Sequence, residues 1–231
     1  LDNVSLTSEL INGSRDLKFE YIKDSSVDSQ SVIILLNHNT ANGITNVDII
    51  FKNINMTQFM AGINSKSYEN FYDGNLSGRL NLNFNKLGRI IDSTLDLNIG
   101  AGSFEVDLPY SKQDIHNIED AYFSVSYISS EEQVDINEIQ IKHDDFSVKT
   151  KGVIQLNYDG SGKISTFDAN LSGLSLFKNG QQIVNNGNVI VNVDPANNEI
   201  NFQKLDGDLS EGQLSMREEE LANNKEIEIM I

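Results

Sequence analysis

The side chains in this chain that could do chemistry are histidines, serines and a large number of carboxylates, and their spacing argues against most reactions. There is no cysteine, which removes thiol nucleophiles and thiolate metal sites. The three histidines, His38, His116 and His143, stand alone, with no His-x-x-x-His pair to hold a metal. His143-Asp144-Asp145 offers ligand atoms in a row but falls at an expected hairpin turn, where polar residues need no metal. Asp159-Gly160-Ser161-Gly162 and Asp206-Gly207-Asp208 lack the regular acidic spacing and closing Glu of a calcium loop. Carboxylates are so common that a glycosidase pair could be drawn almost anywhere, and no tryptophan is present to line a sugar cleft. Nucleophile elbows, phosphate loops and dinucleotide-binding glycine patterns are missing as well. The chain reads as a non-enzyme, with no catalytic residues, no cofactor and no metal.

What the spacing does supply is apolar side chains at strand periodicity. Between Gly74 and Leu108, Leu80, Leu82 and Phe84 alternate with Asn81, Asn83 and Asn85. Leu95, Leu97 and Ile99 alternate with Asp96 and Asn98, and Phe104 and Val106 with Glu105 and Asp107. Successive strand side chains point to opposite faces, so each segment has one oily and one wet face. Short turns at Lys86-Leu87-Gly88 and Gly100-Ala101-Gly102 predict that the three segments fold back antiparallel on one another. A fainter echo lies 74 residues further on. Gly78, Leu80, Leu82, Phe84, Gly88 and Ile90 correspond to Gly152, Ile154, Leu156, Tyr158, Gly162 and Ile164, with Arg89 and Lys163 after the second glycine of each. A chain that keeps issuing amphipathic strands is extending one sheet more readily than closing a sandwich.

The remaining elements must position these stripes. Four strands are expected around Val4–Ile11, Leu17–Lys23, Ser31–Asn37 and Ile44–Phe51, with turns at Asn12-Gly13 and Asn42-Gly43. Leu17, Phe19 and Tyr21 share one face, whereas the unbroken run Val32 to Leu36 predicts cover on both sides. Met56, Phe59, Met60 and Ile63 fall on one helical stripe, placing an accessory helix near residues 56–70. Pro109 to Ile118 reads as a loop. Strands follow at Ala121–Ile128, Gln133–Lys142, Phe146–Tyr158 and Lys163–Leu176, then at Asn188–Val193 after an Asn186-Gly187 turn, and around Ile200, Phe202, Leu209, Leu214 and Met216. The extra residue between Ile136 and Ile139 predicts a β-bulge.

Composition narrows the function class. Of 231 residues, 17 are Lys or Arg and 34 Asp or Glu, a net charge of −17 that repels phosphate backbones and excludes nucleic acid as a partner. Hydrophobic content of 39% with only 2 prolines describes a chain that folds. Its longest aliphatic run, Val32 to Leu36, is far too short to span a membrane as a helix. Alternation is already running at Val4 and Leu6 and still running at Ile227, Ile229 and Ile231, so a fragment of a longer chain is expected.

The run from Met56 to Tyr68 through Gly74-Asn-Leu-Ser-Gly-Arg-Leu80, Gly100-Ala-Gly-Ser-Phe104 and Lys151-Gly-Val-Ile154 resembles the AsmA-like domain of YhdP-type proteins, over roughly residues 45 to 215. That family belongs with the bridge-like lipid-transfer proteins. The resemblance implies a periplasmic protein of outer-membrane biogenesis, held to the inner membrane by an anchor outside this segment, with phospholipid as its partner.

Together the pattern and the resemblance predict an all-β fold: an elongated, curled antiparallel sheet forming an apolar trough, with one accessory helix. Residues 1–231 form a single groove segment, 1–72 holding strands and helix and 73–231 a repeated meander. The expected lining is Leu80, Leu82, Phe84, Leu95, Leu97, Ile99, Phe104, Val106, Phe123, Val125, Ile154, Leu156, Phe167 and Leu171. A different class of function also fits oily stripes: a non-catalytic envelope scaffold with a closed core that binds proteins through its edge strands.

Overall fold

The computed structural model describes residues 2–11, 13–23, 29–55, 73–106, 114–194, 199–209 and 212–217. Alternating apolar and polar residues, β-branched content and glycine- or asparagine-bearing turns make these segments strands. They are β1 (Asp2–Ile11), β2 (Ser14–Lys23), β3 (Gln30–Asn39), β4 (Ile44–Asn55), β5 (Asn75–Phe84), β6 (Ile90–Ile99), β7 (Gly102–Val106) and β8 (Asp114–Ile118). The others are β9 (Asp120–Ile128), β10 (Gln133–His143), β11 (Phe146–Tyr158), β12 (Ile164–Lys178), β13 (Gln181–Asp194), β14 (Glu199–Leu209) and β15 (Gly212–Arg217). The expected helix at residues 56–70 lies outside the described residues. All-β is therefore the fold class.

Hydrogen bonds order thirteen strands as β1-β2-β3-β4-β5-β6-β9-β10-β11-β12-β13-β14-β15, an antiparallel sheet not closed into a barrel. Two compact units divide the chain: Leu1–Ser129 with Ile141–Asp144, and Ser130–Gln140 with Asp145–Ile231. Below these are unit 1 and unit 2.

In unit 1 the structure departs from expectation after β6. The third segment of the central stretch does not fold back onto the second; β6 pairs with β9, and β7 instead pairs with β8 in a separate two-stranded sheet. The segment read as a loop up to Ile118 thus supplies a strand. Register explains the choice, because Leu95, Leu97 and Ile99 of β6 stand opposite Val125, Phe123 and Ala121 of β9, a longer apolar match than the five residues of β7 provide. The run at Val32 to Leu36 is also less covered than expected: Leu35 is 36% exposed.

In unit 2 the expected turn at Asn186-Gly187 lies inside β13, and the chain reverses at Asn179-Gly180. Both turn residues have positive φ, 52° and 75°, the backbone of the two-residue turn that matches strand twist. Asn186, at φ 53°, is a bulge instead.

The echoed hairpins share their construction. Asn85 Oδ1 accepts from the Leu87 and Arg89 amides, and Asp159 Oδ1 from those of Ser161 and Lys163. Gly88 and Gly162 carry the positive φ that each loop demands, 74° and 80°. In the strand before each loop, Gly78 and Gly152 lie against a neighbouring backbone. A Cβ on either would stand 2.3 Å from a carbonyl oxygen, that of Asp96 or of Asn170.

Candidate functional site

Residues directly opposite one another in an antiparallel pair share a face, so the registers can be read across the sheet as rows. One row of unit 1 is Leu6, Phe19, Ile34, Ile49, Leu80, Leu95 and Val125, apolar in all seven strands. The next is Val4, Tyr21, Val32, Phe51, Gly78, Leu97 and Phe123. On the other side run Leu17, Leu36, Val47 and Leu82, followed by Ser93 and Tyr127. Unit 2 repeats the plan with Leu156, Phe167 and Val193; Ile154, Ala169 and Val191; Gly152, Leu171, Val189 and Leu205; and Val148, Leu176, Val184 and Leu209.

Bulges keep these faces apolar where the sequence slips phase. In β4 the oily residues step from Phe51 to Ile54, three positions instead of two, and Asn53 takes φ 55° between them. In β12 the step is from Leu171 to Leu174 around Gly173, at φ 62°. In β13 it is from Val184 to Val189 around Asn186. Each extra residue restores the apolar side chains to their original face.

The apolar rows are not sealed. Among the described apolar side chains only Ala121, Ile136, Ile183 and Val184 are buried, and no large side chain is completely so. Val4, Leu6 and Leu10 of the end strand β1 are 65%, 72% and 69% exposed, and most interior members of the rows are half-buried by their own sheet neighbours. The inner face of a sandwich, packed against a second sheet, would be buried throughout.

Of the expected lining, Leu80, Leu82, Phe84, Leu95, Leu97, Ile99, Phe123 and Val125 come together on the unit 1 face. Ile154, Leu156, Phe167 and Leu171 come together on the unit 2 face. Phe104 and Val106 do not join them, because β7 belongs to the separate hairpin. Sequence reasoning missed Phe19, Ile34, Ile49 and Phe51, which complete the rows. Alternation marked Phe19, but the unbroken run Val32 to Leu36 concealed which residues of β3 face which way.

The reverse face is mostly polar and hydrogen-bonded, with Ile33, Leu35 and Ile50 interrupting it in unit 1. In unit 1, Asp16, Asn37, Asn46, Asn83 and Asp92 form a row across β2 to β6, with Asn46 Nδ2 donating to Asn83 Oδ1 at 2.9 Å and Asn83 Nδ2 to Asp92 at 2.6 Å. Arg79 grips Asp48 through Nε and Nη2, at 2.7 and 2.8 Å. In unit 2, Asn192 and Asn157 both donate to Asp168 and hold its carboxyl below the usual carboxylate range. A cavity of about 410 Å³ also opens on this face of unit 1 among Glu9, Asp16, Lys18, Asn37 and Asp48. Its lining mixes these groups with Leu17, Leu35 and Leu36.

Charge follows the same division. The described acidic side chains of unit 1 strands with fixed register, Glu9, Asp16, Glu20, Asp48, Asp92, Asp96 and Asp120, all lie on the polar face, as do Asp168, Asp194, Asp206 and Asp208 of unit 2. Among the described residues of these paired rows, the Arg, Lys and His side chains on the apolar faces are Arg15, Lys23, His38 and Lys178, at strand ends. Lys178 Nζ sits 5.5 Å from the centre of the Phe146 ring.

In each unit the long sheet thus has one oily side and one that is largely polar. No family model, curated protein or solved structure matches the chain.

Proposed function

We propose that this chain is a segment of a periplasmic bridge-like protein of the AsmA-like kind, which shields phospholipid acyl chains on their way between inner and outer membranes. The observation that carries the reading is the set of apolar rows crossing seven strands of unit 1, in which Ala121 is the one buried apolar side chain among the described residues. Each methylene moved from water onto such a face gains about 0.8 kcal/mol, which removes the main barrier to a lipid crossing an aqueous space. Because neighbouring rows offer similar surfaces, a chain slides without falling into one deep well. The polar face and the net charge of −17 keep the carrier itself hydrated. No reaction is needed.

The test is native mass spectrometry of the purified chain, followed by organic extraction. Phospholipid is expected at a reproducible ratio, and Leu82→Asp with Leu97→Asp is expected to abolish it while the far-ultraviolet circular dichroism stays that of a sheet. A lipid-free wild-type chain that also takes up no added phospholipid counts against the reading. One observation favours the scaffold alternative: β1 ends the sheet order with Val4, Leu6 and Leu10 exposed, a surface on which a partner strand could add.

A further inference from the structure

We propose that Arg15 and His38 form a headgroup site for an anionic acyl lipid at the margin of the unit 1 apolar face, an inference that rests on that face receiving acyl chains. Arg15 on β2 and His38 on β3 are direct cross-strand partners, so their side chains leave the same face with Cβ atoms about 5 Å apart. Thr45 pairs with His38 on the next strand, and its Oγ1 lies 2.9 Å from His38 Nδ1, which leaves Nε2 as the ring nitrogen for a ligand. Leu10 flanks Arg15 on the other side and is 69% exposed. One row inward the surface becomes oily, with Leu17 and Leu36, and stays so along β2 to Tyr21. From Arg15 to Tyr21 is roughly 20 Å of strand, the scale of a long acyl chain.

Charge complementarity selects the headgroup. Arg15 makes no ion pair among the described residues, whereas on the polar faces Lys18, Arg79, Lys149 and Lys204 each reach a carboxylate. Every described acid of the neighbouring strands points the other way, Asp16 and Glu9 included. A chain that repels anions as a whole therefore offers them an approach here, where a guanidinium fork stands beside an imidazole and a hydroxyl. Such a fork matches the oxygens of a phosphate or carboxylate and makes charge-assisted hydrogen bonds to them.

The experiment compares two lipids with the same acyl chain, a lysophosphatidate and a neutral monoacylglycerol, below the concentrations at which either aggregates. Binding is read by displacement of a fluorescent fatty-acyl dye from the purified chain. The wild type is expected to hold the lysophosphatidate about tenfold or more tighter. Arg15→Gln with His38→Gln should bring it to the glyceride's level while glyceride binding stays unchanged, and Arg15→Lys should retain part of the preference. Equal wild-type affinity for the two lipids overturns the headgroup site and leaves acyl shielding standing. Failure of the wild type to bind either lipid rejects the acyl-chain reading and this site with it. Equal loss of both lipids in the double variant would make the pair structural, and displacement of the lysophosphatidate by equimolar inorganic phosphate would make it a free-anion site; either result overturns the proposal.

Discussion

Asp48 is 6% exposed, yet the Arg79 side chain that neutralises it is 60% exposed, so solvent screens the pair from one side only. Removing the arginine strands a buried carboxylate. Arg79→Met is expected to lower the urea midpoint, by less than loss of a fully buried pair would, and Asp48→Asn in that background should recover part of it. Urea denaturation of the three variants checks this. The acid limb of stability belongs to the same scale. Asp168 is held below the ordinary 3.8 by Asn192 and Asn157, Asp206 by Lys204 and Asn188, Asp159 by Ser161 and the Lys163 amide, and Asp73 by Ser103. A folded-state value below the unfolded one contributes stability that is complete above 3.8 and is lost as pH falls through the folded value. The urea midpoint should therefore owe little pH dependence to these groups between pH 7 and 5 and fall steeply below 3.8, with a shallower fall in Asp168→Asn.

At the scale of the element, close strand approach and phase-correcting bulges decide what the hairpins tolerate. Gly152 faces Leu171 and Gly78 faces Leu97, and at each the intruding Cβ meets rigid backbone, with the Phe51 ring a further 2.9 Å neighbour at Gly78. Gly152→Ala or Gly78→Ala is expected to cost about 2 kcal/mol and to lower the melting temperature by roughly 4–8 °C. Gly160→Ala, in the adjoining loop with nothing within 4 Å, should leave it unchanged. Thermal melts followed by circular dichroism measure all three. The glycine pair was legible as a 74-residue echo because strand periodicity and glycine spacing survive in sequence. Its cause was not, since a carbonyl 18 residues away in the chain imposes it, as Asn170 does on Gly152.

For the whole molecule, a native state whose apolar rows remain half-exposed behaves unlike a globule with a sealed core. The folded chain is expected to bind a dye such as anilinonaphthalene sulfonate while unfolding cooperatively, a combination that distinguishes it from a molten globule. Leu82→Asp with Leu97→Asp should cut the dye signal severalfold, since both side chains stand in the middle of the rows beside Val47, Phe123 and Gly78. Unchanged fluorescence would move the dye site off this face.

Local order was written in the residues themselves. Alternation at Leu80, Leu82 and Phe84 or at Leu17, Phe19 and Tyr21 specifies a two-faced strand wherever it is placed, because side-chain period is a property of the backbone. Turn residues with positive φ likewise marked Gly13, Gly43, Gly88 and Gly162. Pairing was another matter. That β6 passes over β7 to meet β9, and that the turn of unit 2 falls at Asn179-Gly180 while Asn186 becomes a bulge, follows from which register buries more apolar surface across strands distant in sequence. The same holds for charge: composition shows only an excess of 17 negative charges, and only the cross-strand registers reveal that the described acids share the polar faces and leave Arg15 and His38 beside the oil.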